Sequence, residues 1–368
     1  MTGQKLNIVQ AIFLFTLAVG ITNHVIIVPL ILNTAYRDSW ISALIAIPPI
    51  VLWTLILFLI MKLTKQQSLY QWFSQHYNPV VAWLILIPLL IFVLFILFIT
   101  VRDTTAWTKI TYLPKTPYPV TVSIYVLSGI IAAMSGLRSL SIAAGILLPA
   151  VILLGFFVMS VNFQFKDYSY LLPSFTNGYT PVIHGTFFVL GGLVEFILLL
   201  GVQQHLTKKI RFITLIALTL GVTGLILGPI LSSIAIFGPY EAADQRYPAF
   251  EQWRMVLIGK FISHLDFLSI YQWLAGSLIR ISLAFFIFFD LIQLRSDKWK
   301  KIGMLATGII VIILASQYSL SDHSFFNFLQ HYYFPFTLSF FYFFPFLLLL
   351  LIFMKRGNAK DEAKQPVP

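Results

Sequence analysis

The sequence predicts an all-α, polytopic membrane protein with ten transmembrane helices, and three observations carry that prediction. Of 368 residues, 59% are hydrophobic and only 10% are charged, whereas soluble domains carry about a quarter charged residues. Apolar runs of about 20 residues, the length that a hydrocarbon core about 30 Å thick requires, recur along almost the whole chain. These runs are continuously apolar and lack the period-two alternation of a membrane barrel, so helices must satisfy the backbone in lipid.

In chain order the expected spans are 8–33, 39–61, 80–101, 119–136, 139–163, 182–202, 211–237, 267–294, 302–318 and 334–354. Only Gly136, Leu137 and Arg138 separate the fourth from the fifth. Residues 1–354 are therefore read as one membrane domain, with half-repeats at 8–163 and 182–354. The one long loop is 238–266. There Pro248 can open a helix, and Phe250, Trp253, Leu257 and Phe261 recur at helical spacing, which predicts an amphipathic helix on the outer surface. The polar tail "KRGNAKDEAKQPVP" (355–368) is read as cytoplasmic and disordered.

A net charge of +11 could suggest nucleic acid, but the basic residues cluster at the ends of apolar runs, where they orient a chain in the bilayer. With Arg280 set aside inside the eighth span, fifteen Lys and Arg fall on the side of the N-terminus and eight opposite. That bias places both termini in the cytoplasm. The absence of cysteine excludes disulfides and thiolate metal sites. Phosphate loops, nucleophile elbows and metal-spaced histidines are missing too, so the chain is read as no enzyme, with no cofactor and no metal.

Ten spans divide into five plus five, and an odd half inverts the second copy, which suits an inverted-repeat transporter fold with helices one and six broken. The first spans of the two halves are the interrupted ones. "VGITNHVIIVP" (19–29) holds Gly20, Thr22, Asn23 and His24 ahead of Pro29, and "FFVLGGLVEFILLL" (187–200) holds Gly191 and Gly192 ahead of Glu195. These seven residues are the candidate ligand-binding set. A charge near the bilayer midplane costs at least about 2.5–3.5 kcal/mol, so Glu195 must face the interior, be paired or be protonated. It reads as a contact for a ligand amine or cation, as a proton-coupled switch, or as a neutral packing acid. His24 is equally open between packing and ligand. Arg280 needs an interior partner, with Glu195 among the candidates; Asp290, Arg102 and Asp103 read as lying near the membrane surfaces.

Four further segments, "RDSWISALIA" (37–46), "LLPSFTNGYTP" (171–181), "YPAFEQWR" (247–254) and "SHLDFLSIYQW" (263–273), occur in an order and spacing that, with Arg102, Lys109 and "TP" at 116–117, resemble one family. It is the B subunits of spore germinant receptors, within the amino acid–polyamine–organocation transporter superfamily. The resemblance implies a sensor of a small nutrient, often an amino acid, that triggers germination without a chemical step. It also implies the spore inner membrane, receptor A and C subunits as partners, and a ligand pocket between spans one, three, six and eight. Thr22 and His24 stand where the family usually has small residues, and His264 stands where it has an arginine. The alternative reading is a proton-coupled amino-acid transporter of the same superfamily.

Overall fold

The first helix begins where Asn7 can cap it: its side chain accepts from the Gln10 N–H at 2.8 Å while Gln10 Oε1 accepts from the Asn7 N–H at 3.0 Å, a reciprocal capping box. From there the computed structural model, described over residues 5–259, 261–294, 296–317 and 321–362, is helical almost throughout. Helix α1 (Ile8–Ile21) passes through a π turn, Thr22–Ile26, into α2 (Ile27–Ala35). Tyr36, at a φ of 46°, turns the chain into α3 (Ser39–Ile45) and α4 (Ile47–Leu63). A short surface helix, α5 (Leu69–His76), buries Leu69, Trp72 and Phe73.

Helix α6 (Pro79–Thr111) has 33 residues and so runs about 50 Å, well beyond a hydrocarbon core of about 30 Å. Its last turns, including Arg102 and Asp103, are inside the protein rather than at a lipid surface. Gly136, at a φ of 89°, makes the tight turn from α7 (Tyr118–Met134) to α8 (Leu137–Val161). Then α9 (Thr180–Leu193) continues through a 3-10 turn, Val194–Ile197, into α10 (Leu198–Val202). Helix α11 (Phe212–Phe237) ends at Gly238 and leads to the short α12 (Pro239–Asp244) and α13 (Pro248–Arg254). The remainder is α14 (Leu268–Leu291), α15 (Asp297–Ala315), α16 (Asp322–Phe328), a second π turn at Leu329–Tyr333, α17 (Phe334–Phe341) and α18 (Phe344–Glu362).

Among the described residues, seven helical segments are long and apolar enough to cross a membrane: Ile8–Leu63, Pro79–Thr111, Leu137–Phe165, Thr180–His205, Phe212–Phe237, Leu265–Leu291 and Asp322–Lys355. The first of these is folded back at Tyr36. The apolar α7 is shorter, and α15 carries Asp297, Lys298, Lys300 and Lys301 in its first turns.

Two expectations change form. The helices expected to be broken do not open into extended backbone; the irregularity is a π turn in the first and a 3-10 turn in the sixth, and those two turns lie against each other's helices. The surface helix opened by Pro248 is real but ends at Arg254. Phe250 and Trp253 are buried, whereas Phe261, expected on the same face, is 94% exposed. In the tail, α18 runs on to Glu362, and residues 363–368 lie outside the described residues.

Two helices organise the bundle. Helix α14 lies against α1, α6, α7 and α8, and α9 lies against α2, α3 and α17. The packing of α9 depends on Gly192, where a Cβ would stand 2.6 Å from Asn23 Oδ1 and 3.0 Å from Ile27 Cδ1. Two of the segments singled out in the sequence meet at the rim. Arg37 Nη1 donates to Leu172 O at 2.9 Å, and both Asp38 carboxylate oxygens accept from the Phe175 N–H at 3.0 Å.

Candidate functional site

Arg280 on α14 and Glu195 in the 3-10 turn of the sixth span are both fully interior, with 2% and 0% of their surface exposed. They form a two-pronged ion pair, Nη1 to Oε2 at 2.5 Å and Nη2 to Oε1 at 2.6 Å. Pairing of this geometry, with further hydrogen bonds to each partner, is what makes a buried charge tolerable. Here Arg280 also donates from Nε to Thr100 Oγ1 at 2.7 Å and from Nη1 to Ala18 O at 2.8 Å, while Thr22 Oγ1 donates to Glu195 Oε1 at 3.2 Å. One guanidinium and one carboxylate therefore join α1, α6, α14 and the sixth span.

The local backbone explains why Ala18 is available. At the end of α1 the Thr22 N–H turns to Val19 O instead of continuing the regular ladder, and the Ala18 carbonyl takes its hydrogen bond from Arg280. The π turn that follows sends three consecutive side chains in three directions. Thr22 goes to Glu195. Asn23 Nδ2 donates to Val19 O at 2.8 Å and to Gly192 O at 3.3 Å. His24 Nδ1 meets Leu225 O of α11 at 2.9 Å.

A cavity of about 870 Å³ lies on the His24 side of that turn. Its walls come from α1 and the π turn, from α8, α11 and α13, and from the start of α14. Gly20 and His24 line it; Thr22, Asn23, Gly191, Gly192 and Glu195 do not. Gly192 and Asn23 are packed against each other, and Gly191 faces Phe334. Spans three and six, expected to wall a pocket with one and eight, contribute no lining residue to this cavity. Trp273, one of its lining residues, stacks on Trp107, with ring centroids 4.1 Å apart and planes 5° apart.

A second polar cluster joins the last turns of α6 to the α12–α13 connection and the start of α16. Arg246 Nη2 donates to Asp103 Oδ1 at 2.6 Å and Nε to Asp322 Oδ2 at 3.1 Å. Burial works against the Arg246 charge, but Asp103, followed by Tyr247 and Asp322, outweighs it and holds its pKa above the ordinary arginine value. Arg102 Nη1 donates to the Tyr118 hydroxyl. Elsewhere, Asp290 Oδ2 accepts from His205 Nε2 and Gln204 Nε2, both at 2.8 Å, and Leu6 bridges to the backbone of His205 and Thr207. The sequence reading saw neither cluster. The partners lie far apart along the chain, and only the α11 stripe of Ala217, Gly221, Gly224 and Gly228 left a spacing signal for the cavity wall.

The family model described as spore germination protein matches residues 4–324. The chain belongs to that family. Spore germination protein XB of Bacillus anthracis is 38% identical over 360 residues, covering 97% of this chain and 99% of the relative. Putative spore germination protein YfkT of Bacillus subtilis strain 168 is 25% identical over 335 residues, covering 88% and 90% respectively. Family membership agrees with the resemblance carried by the rim segments, and it makes this a germination-related, multi-pass membrane protein.

Proposed function

We propose that the chain is the B subunit of a spore germinant receptor, sensing a small nutrient and passing a conformational signal to receptor A and C subunits without a chemical step. In this reading it forms ten spans in a 5+5 inverted repeat, in the spore inner membrane, with both termini cytoplasmic. The observation that carries the proposal is the position of His24. Its side chain lines the cavity, and it belongs to the π turn whose Thr22 holds Glu195. An occupant that displaces His24 acts on the π turn itself, and a π turn converting to a regular turn shifts the register of every side chain in it. A packed element with two discrete arrangements is what a receptor needs, since a ligand shifts such an equilibrium only by binding one state better.

Proton-coupled transport through Glu195 finds less support. Both Glu195 carboxylate oxygens accept from Arg280, and Glu195 does not line the cavity. The two functions separate in proteoliposomes and in spores. Receptor function predicts that deleting this chain abolishes a nutrient response while the purified protein accumulates no solute under a proton gradient. Gradient-driven accumulation, with germination untouched by the deletion, would transfer the assignment to transport.

A further inference from the structure

The cavity beside His24 has an unusual wall for a site expected to take an amino acid. No Asp, Glu, Lys or Arg is among its lining residues. The nearby charges are committed elsewhere, Glu195 to Arg280 and Asp103 to Arg246. Bringing an isolated carboxylate or ammonium into such a wall would strip its water and supply no counter-charge.

Several polar groups in the wall are engaged by the protein. Gln272 accepts from Trp253 Nε1 at 2.9 Å and donates to Val151 O at 3.1 Å; Gln252 donates to Pro229 O at 3.1 Å and to Ser233 Oγ at 2.8 Å. His24 is different. A carbonyl oxygen can only accept, so the 2.9 Å contact with Leu225 O requires the hydrogen to sit on Nδ1. The Nε2 of the neutral ring is then a bare acceptor, with no hydrogen bond among the described residues. Ser232 Oγ and Trp273 Nε1, in two further lining residues, are buried and likewise have no partner among the described residues. A Cβ built on Gly221, Gly224 or Gly228 would meet nothing within 4 Å, so the α11 wall leaves room for an occupant.

Resting on the receptor reading, we propose that this cavity receives an uncharged, largely apolar molecule that donates a hydrogen bond to His24 Nε2, and that a zwitterionic amino acid is not its occupant. The apolar walls contribute affinity through buried area, and the directed acceptor on His24 fixes orientation, the usual division of labour in small-molecule sites.

A matched series tests charge and donor separately on the full chain in lipid nanodiscs: 2-(2-naphthyl)ethanol, its methyl ether, 2-(2-naphthyl)ethylammonium, 2-naphthylacetate and 3-(2-naphthyl)alanine. The alcohol is expected to bind about tenfold tighter than the ether, one hydrogen bond's worth, with the three ionised members weaker than both. His24→Leu should erase the difference between alcohol and ether, and Gly221→Leu should weaken both by filling the cavity. Equal binding of alcohol and ether to the unmodified protein would overturn the proposal, and so would naphthylalanine binding as tightly as the alcohol. An acyl chain as the natural occupant, offering no donor, corresponds to the first of these outcomes. If His24→Leu does not fold, the unmodified protein and Gly221→Leu decide alone. Germination of spores lacking the chain tests the receptor reading independently, because binding by the purified protein requires no germination response.

Discussion

Arg280 donates to Glu195 twice, at 2.5 and 2.6 Å, across 85 positions of sequence, and a third donor on the same guanidinium reaches the Ala18 carbonyl beside the π turn. The pair thus ties the irregular turns of the first and sixth spans to α14. Its chemistry predicts strong coupling. Removing either partner alone, as Glu195→Gln or Arg280→Met, leaves a buried charge without its counterpart and should cost about 3–5 kcal/mol. The double variant Glu195→Met/Arg280→Met should recover much of that loss. Thermal unfolding of the four proteins in nanodiscs closes the cycle; additive losses would mean that the two groups do not act as a unit.

Gly192 and Gly224 provide a contrast between packing and open space. Gly192→Ala drives a Cβ into Asn23 Oδ1 and Ile27 and should destabilise by about 1–3 kcal/mol, an ordinary cost of overpacking. Gly224→Ala meets nothing within 4 Å and should leave the melting temperature unchanged or slightly raised, since alanine favours the helix over glycine. Equal effects at the two positions would contradict the close approach of the first span to the sixth.

The Arg246 cluster predicts a pH profile. Because Asp103, with Tyr247 and Asp322, holds the Arg246 pKa above the ordinary value, the stability it contributes is fully present below the ordinary arginine range and is lost only as pH rises beyond the raised value. Arg246→Gln should therefore lower the melting temperature by the same amount at pH 7 and at pH 10. A difference between unmodified and variant protein that shrinks toward pH 10 would show that the arginine titrates where this geometry forbids it.

Much of the fold could be read from the sequence because membrane helices announce themselves by length and hydropathy, and each expected apolar run contains helix. The mutual positions of the irregular turns were legible because glycines sit beside polar residues at corresponding places in the first spans of the two expected halves, Gly20 with Thr22–His24 and Gly191 and Gly192 with Glu195. The consequence of those residues was harder to read. Gly192 looked like a place for the backbone to open, yet it serves the approach of Asn23. Glu195 read as open to a ligand, a proton or a partner, and the three-dimensional crossing of α14 with the sixth span sets it against Arg280. The surface helix ended early because helical spacing from Phe250 to Phe261 says nothing about where the backbone turns away.

The rim segments that resembled germinant-receptor sequences prove to be joints. Arg37 and Asp38 hold the backbone of Leu172 and Phe175, and Trp253 donates to Gln272. Arg37→Ala should loosen the 171–181 loop without altering the cavity, so protease sensitivity of that loop should rise while binding of the naphthyl alcohol is unchanged. Loss of binding would mean that the rim shapes the cavity directly.

The most direct test of the account is nutrient-triggered germination of spores that carry the charge-free Glu195→Met/Arg280→Met chain, compared with spores that carry His24→Leu, at matched protein levels. If the ion pair is a tie and His24 is the ligand contact, the charge-free spores still germinate in response to the nutrient and the His24→Leu spores do not. Normal germination with His24→Leu, together with loss of response in the charge-free chain, would contradict it and make Glu195 the group that recognises the ligand.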